Sequence, residues 1–201
     1  MRIRPREAAD RPAVEDFLAR WNTLRAARRG VLEQPLDHPA LIAEENERLI
    51  GVLTYVVNGS QCEVLTLHVD EAGGGVGTAL IAAVKDIAGR AGCARLWVIT
   101  TNDNVDALRF YQRRGFRLAA LYTGAVDESR ARLKPEIPTI GDHGIPLRDE
   151  LELEQPVVPV QPYARESKPA SRADEATSQE RRHRFSLDLA GPGPSSLRNE
   201  R

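Results

Sequence analysis

Four glycines fall between Asp70 and Leu80, in the run DEAGGGVGTAL, and a helical pattern follows at once. Glycine in a regular element costs roughly 0.5–1 kcal/mol relative to alanine. A cluster of this kind therefore points to backbone that bends sharply or is approached closely. A strand, a glycine turn and a helix N-terminus together make an anion site. The first-turn N–H groups have no partner inside the helix, and the helix dipole adds roughly half a positive charge. Phosphate is the anion that suits it, and three patterns compete. The mononucleotide loop requires Gly-Lys-Ser/Thr, whereas Gly77 is followed by Thr78 and Ala79. The dinucleotide pattern GxGxxG requires glycine at Thr78 or Leu80, and it follows a first parallel strand. What remains is Gly75-Val76-Gly77 opening a helix, ambiguous until its setting is known.

The setting comes from the flanking elements. Ile3 and Arg4 open a first strand, and Asp10 is placed to cap a helix with Pro12 in its first turn. Val14, Phe17, Leu18 and Trp21 form one apolar helical face, and the basic stretch Asn22–Gly30 stops at Gly30. Ala40–Val69 reads as three strands turning at Glu45–Arg48 and at Asn58–Gly59, an antiparallel meander whose last strand, Cys62–Val69, delivers the glycines. Leu80, Val84, Ile87, Ala88 and Ala91 then keep helical spacing. Ala94–Thr100 is a nearly continuous apolar run, as in a strand covered on both faces. A short helix spans Val105–Arg114, capped by Asn104 and ended by Gly115. A strand at Phe116–Thr123, a long connection at Gly124–Arg148 and a polar-alternating strand at Asp149–Glu154 complete the order.

The second informative stretch is NVDALRFYQRRGF, Asn104–Phe116. With it the chain resembles the GNAT superfamily of N-acetyltransferases. The family's pyrophosphate motif, Gln/Arg-x-x-Gly-x-Gly/Ala, aligns with Ala72–Gly77, and Asn-x-x-Ala-x-x-x-Tyr-x-x-x-Gly-Phe aligns with Asn104, Ala107, Tyr111, Gly115 and Phe116. The resemblance runs from Ile3 to about Glu154. Ala72 stands where Gln or Arg is usual, which removes one side-chain phosphate contact and leaves the backbone amides. At Gly74 the family tolerates almost any residue. The implied fold class is α/β (α+β), a mixed, largely antiparallel central sheet flanked by helices, with a disordered C-terminal tail.

The resemblance also implies roles. Acetyl-CoA, the cosubstrate, lies between two strands that splay apart, Cys62–Val69 and Ala94–Thr100. Backbone groups near Leu67 and Val69 pair with the pantetheine arm, and the amides of Gly73, Gly74, Gly75, Val76, Gly77 and Thr78 seat the pyrophosphate. Asn104 contacts the cofactor arm, a role compatible with capping its helix. Tyr111 is the acid that protonates the departing thiolate: a phenol of pKa about 10 keeps its proton at neutral pH, while a free thiol lies near about 8.5. The competing reading is a core aromatic. The attacking amine must be neutral, and for a lysine-like group this costs about 4.6 kcal/mol at pH 7. Glu63 occupies the family's position for the proton acceptor. His68 has the better unperturbed pKa, and either residue also fits an ordinary solvent-facing strand position. Simple alternation places Glu63 and His68 on opposite faces, and the bulge found in this strand of the family reverses that parity.

The acceptor pocket in this fold is walled by the first helices and the connection before the last strand, here Trp21–Gly30 and Gly124–Arg148. Their mixed charge suits a polar acceptor. The expected reaction is direct transfer of acetyl to a primary amine, on a small molecule or a protein, in a ternary complex. A non-catalytic acyl-CoA sensor or interaction module is the alternative. Net charge is −1, so no global field selects nucleic acid or membrane. No apolar run approaches the roughly 20 residues of a membrane span. Cys62 and Cys93 lack metal-ligand spacing and read as core residues, which suits a cytoplasmic protein without metal. A monomer or a homodimer is expected. The acetyltransferase domain is read as residues 1–154. Residues 155–201, rich in proline and charge, are read as a tail unable to bury enough surface to offset its ordering entropy.

Overall fold

The computed structural model describes residues 1–70 and 74–158. Strand β1 (Arg2–Pro5) leads through a short 3-10 turn to helix α1 (Arg11–Arg20). Asp10 does not cap α1 with its side chain. Its carboxylate is taken instead by Arg4, at 2.6 and 2.8 Å, and by the Glu7 N–H at 2.7 Å. After α1 comes a small hairpin of β2 (Ala26–Arg28) and β3 (Val31–Glu33), where helix-like wall had been expected up to Gly30. Its turn residues, Arg29 and Gly30, both have positive φ, at 47° and 74°.

The meander follows as β4 (Ala40–Glu45), β5 (Arg48–Asn58) and β6 (Gln61–Val69). Asn58 pairs with Gln61, so Gly59 and Ser60 form the turn, one residue beyond the expected Asn-Gly. Helix α2 (Val76–Arg90), strand β7 (Arg95–Thr101), helix α3 (Val105–Gln112) and strand β8 (Arg117–Tyr122) come next. Helix α4 (Ala125–Arg132) lies inside the long connection, and β9 (Glu150–Pro156) runs two residues past the expected end. The main sheet has the order β1-β4-β5-β6-β7-β9-β8, with β6–β7 parallel and the other neighbours antiparallel.

Two cores cover the two faces of this sheet. On one face α2 and α3 pack Leu80, Val84, Ala88, Tyr111 and Phe116 against Leu53, Val64, Leu96 and Leu153. Cys62 and Cys93 lie in this cluster as fully buried free thiols, the core role expected of them. On the other face α1 packs Val14, Phe17 and Leu18 against Ile42 and Val52.

Candidate active site

The sheet opens between β6 and β7. Their register runs only from Gln61–Arg95 to Val64–Val98. The cause lies one strand away: Tyr55 pairs with Val64 and Thr54 with Thr66, so Leu65 is an extra residue on β6. Such a bulge bends its strand and ends pairing. Beyond it Thr66–Val69 pair with β5 alone, and their other edge carries free N–H and C=O groups. Leu67 borders the resulting cleft, whereas the Val69 side chain turns to the α2 core.

The bulge also resets the faces of β6. Val64 and Leu67 point to the α2 core, while Thr66 meets Thr54 by a 2.8 Å hydroxyl hydrogen bond on the α1 face. Glu63 and His68 therefore share the α1 face, as the expected bulge requires.

The cleft has a volume of about 270 Å³, and Thr66, His68, Thr100, Asn104, Tyr111 and Glu150 are among the residues that line it. Asn104 accepts the Ala107 N–H at 3.0 Å and so caps α3 while facing the cleft. Tyr111 is held edge-on by Phe110 and Phe116, with ring centroids 5.1 and 5.2 Å away. Burial pushes its phenol above the ordinary value, so the group keeps its proton at neutral pH. His68 stacks on Trp21, centroids 5.0 Å apart, and its Nε2 is buried without a partner. Burial lowers its pKa to about 4, so it is neutral near pH 7.

Glu63 has another environment. Arg28 Nε donates to it at 2.5 Å, and the pair borders a neighbouring hollow of about 570 Å³ that includes Glu33, His38 and Trp97. Burial raises the Glu63 pKa, and the Arg28 charge opposes that rise. Arg28 lines both spaces and joins them. A wider hollow beside β1 and β4, about 680 Å³, is lined by Arg4 and Glu44, already paired at 2.7 Å, and carries no reacting group.

The start of α2 follows β6 in the chain and packs against α3. Gly75 is its N-cap with φ 77°, and the Gly75 carbonyl accepts the Ala79 N–H at 3.0 Å. The amides of Val76, Gly77 and Thr78 are thus the unpartnered first-turn donors. Gly77 presses on α3: a Cβ there would lie 3.1 Å from the Phe110 ring, so its need in this structure is helix contact. Gly74 has only Val76 at 3.9 Å. Gly73, with Glu71 and Ala72, lies outside the described residues. Arg114, over the Phe110 ring at 3.5 Å, donates from Nε to Thr78 Oγ1 at 2.9 Å and brings a positive charge to this helix start.

The sequence does not single out Arg28 or Arg114, and Glu150 enters it only as one of the mixed charges of the acceptor wall. Arg114 lies within the stretch NVDALRFYQRRGF, beside Gly115 and Phe116, and Glu150 within the alternation DELELE. Arg28 had no local signal, because the hairpin that carries it is built of three-residue strands.

Residues 6–116 match the Acetyltransferase (GNAT) family, and the chain belongs to that family. The uncharacterised protein YdhI of Bacillus subtilis (strain 168) is 41% identical over 154 residues, which is 75% of this chain and 95% of that protein. A Bacillus subtilis acetyltransferase solved in complex with CoA matches with a TM-score of 0.57 at 19% identity, over 77% of this chain and 97% of its own. A GNAT acetyltransferase from Elizabethkingia anophelis with acetyl-CoA bound matches with a TM-score of 0.54 at 20% identity, over 77% and 97%. At these identities the solved structures share the fold.

Proposed function

We propose that this chain transfers the acetyl group of acetyl-CoA to a primary amine by direct attack in a ternary complex. The observation that carries this reading is the unpaired β6 edge bordering a cleft that Tyr111 also lines, with the glycine-started helix α2 following β6 in the chain and packed against α3. In this reading the edge near Leu67 and Val69 pairs with the pantetheine arm as an added strand would. The pyrophosphate sits on the turn Gly73–Thr78, where Arg114 supplies the charge that Ala72 does not. Asn104 contacts the cofactor arm from the start of α3. Tyr111 protonates the departing sulfur. A free N–H on the unpaired edge polarises the thioester oxygen. Glu63 lies on the acceptor face, where its ion pair with Arg28 orders the acceptor wall.

Holding amine and thioester together supplies roughly 7–11 kcal/mol of the barrier reduction, more than any single side chain here. The test has two stages. Acetyl-CoA should raise the melting temperature, and a panel of tyramine, spermidine, L-lysine and an alanine-led peptide should include amines that release free thiol. No thermal shift at saturating acetyl-CoA would defeat cofactor binding. A shift without thiol release from any amine would instead favour a non-catalytic acyl-CoA sensor.

A further inference from the structure

The face of the sheet under the β2–β3 hairpin is rich in carboxylates. Glu150, Glu152 and Glu154 of β9 pair in register with Thr101, Ile99 and Trp97 of β7, and Glu63 stands opposite Trp97 on β6. Most of these charges are compensated. Glu63 has Arg28 at 2.5 Å, Glu154 has Arg95 at 2.5 Å and Arg117 at 3.1 Å, and Glu152 has Arg95 and the Tyr122 hydroxyl.

Glu150 differs. It is 1% exposed and, among the described residues, forms no ion pair. Its Oε2 accepts one hydrogen bond, from the Arg29 N–H at 2.8 Å. That donor comes from the hairpin turn, at a residue with φ 47°, a conformation non-glycine residues seldom adopt. The hairpin is thereby fixed over the cleft by the same carboxylate. The Arg28 and Arg29 charges act on it from a distance, but no cation contacts it; a buried carboxylate without a direct ion pair is unfavourable, and such groups in clefts are functional-site candidates. This one borders the cleft lined by Tyr111, His68 and Asn104, whereas Glu63 borders the neighbouring hollow.

We propose that Glu150 binds the ammonium group of the acceptor and takes its proton, an assignment that rests on the acetyl-transfer reading above. The incoming ammonium supplies the direct ion pair that Glu150 lacks. It gives one proton to the carboxylate, which releases it to solvent. The neutral nitrogen attacks the thioester carbonyl carbon, the C–N bond forms and the C–S bond breaks. Sulfur leaves with the electron pair and takes the Tyr111 proton, and the second nitrogen proton restores the phenol. An ammonium and a thioester become an amide, a free thiol and one released proton. Burial raises the Glu150 carboxyl pKa above the ordinary value, which strengthens it as a base.

Glu150→Gln tests this in the full-length chain, because glutamine keeps the volume and an oxygen for the Arg29 N–H. The variant should bind acetyl-CoA as the wild type does and melt at the same temperature or higher. With the four amines named above it should release thiol about 100-fold more slowly. Glu63→Gln should lose less turnover than Glu150→Gln. Turnover of Glu150→Gln within a few-fold of wild type would overturn the assignment, as would a lower melting temperature or a larger loss in Glu63→Gln. If the wild type itself releases no thiol, the transfer reading fails and Glu150 falls with it. An active wild type beside an equally active variant removes Glu150 alone.

Discussion

Tyr111 illustrates how one residue serves two ends. Its ring belongs to the core between the sheet and α3, and its position borders the cleft. The two readings open at the sequence level, core aromatic and acid, are therefore compatible. Burial makes the phenol a more reluctant acid, yet it also guarantees that the proton is present when the thiolate forms. Tyr111→Phe keeps the packing with Phe110 and Phe116 and removes only the hydroxyl. We expect turnover to fall by about 100-fold with acetyl-CoA affinity nearly unchanged, read as kcat from thiol release beside a calorimetric Kd. Equal kcat would leave Tyr111 as a packing residue. At the same scale His68 shows why an unperturbed pKa misleads. Buried against Trp21 it titrates near about 4, so at pH 7 it is a neutral neighbour of the cleft.

Among elements, α2 and β9 show what patterning conveys and what it hides. The start of α2 was legible because glycine spacing, the meander before it and the Asn104–Phe116 motif after it agree. The reasons for its glycines were not. Gly75 is required by its φ of 77°, Gly77 by Phe110, and Gly74 by no close neighbour. Gly75→Ala should therefore cost about 1–2 kcal/mol, the usual penalty of the left-handed conformation, whereas Gly74→Ala should leave stability nearly unchanged. Urea midpoints of the two variants check this, and equal losses would contradict it.

The β9 alternation announced a strand but said nothing of what covers its glutamates. In the structure Glu150 and Glu152 are 1% and 5% exposed beneath the hairpin, and Glu152 is ion-paired with Arg29 and Arg95. Alternation reports chemical type along a strand, and it cannot say whether an ion-paired layer covers the polar side. The β2–β3 hairpin was hidden for a related reason: three-residue strands carry too few side chains for a period to emerge.

For the whole molecule, the decisive boundary is the end of β9. The sequence pattern ends the domain at residue 154; in the structure Val157 is 5% exposed in the α2-side core and its N–H donates to Ala94 O at 2.9 Å. The remainder of the proposed tail, 159–201, lies outside the described residues. Among the described residues no helix is long and apolar enough to cross a membrane. We propose that the catalytic unit extends to Val158, which separates two truncations. Ending the chain after Gln155 removes the buried valine, worth about 1.5–3 kcal/mol of transfer free energy, and leaves the Ala94 carbonyl without its donor. The melting temperature should fall by several degrees, since about 1 kcal/mol corresponds to roughly 2–4 °C at this size. Ending it after Val158 should preserve both the melting temperature and the shift produced by acetyl-CoA. Calorimetric melts of the two truncations with and without acetyl-CoA measure this directly. Equal losses in both would mean that residues beyond Val158 contribute to the folded domain, and the acceptor wall would then have to be sought there as well.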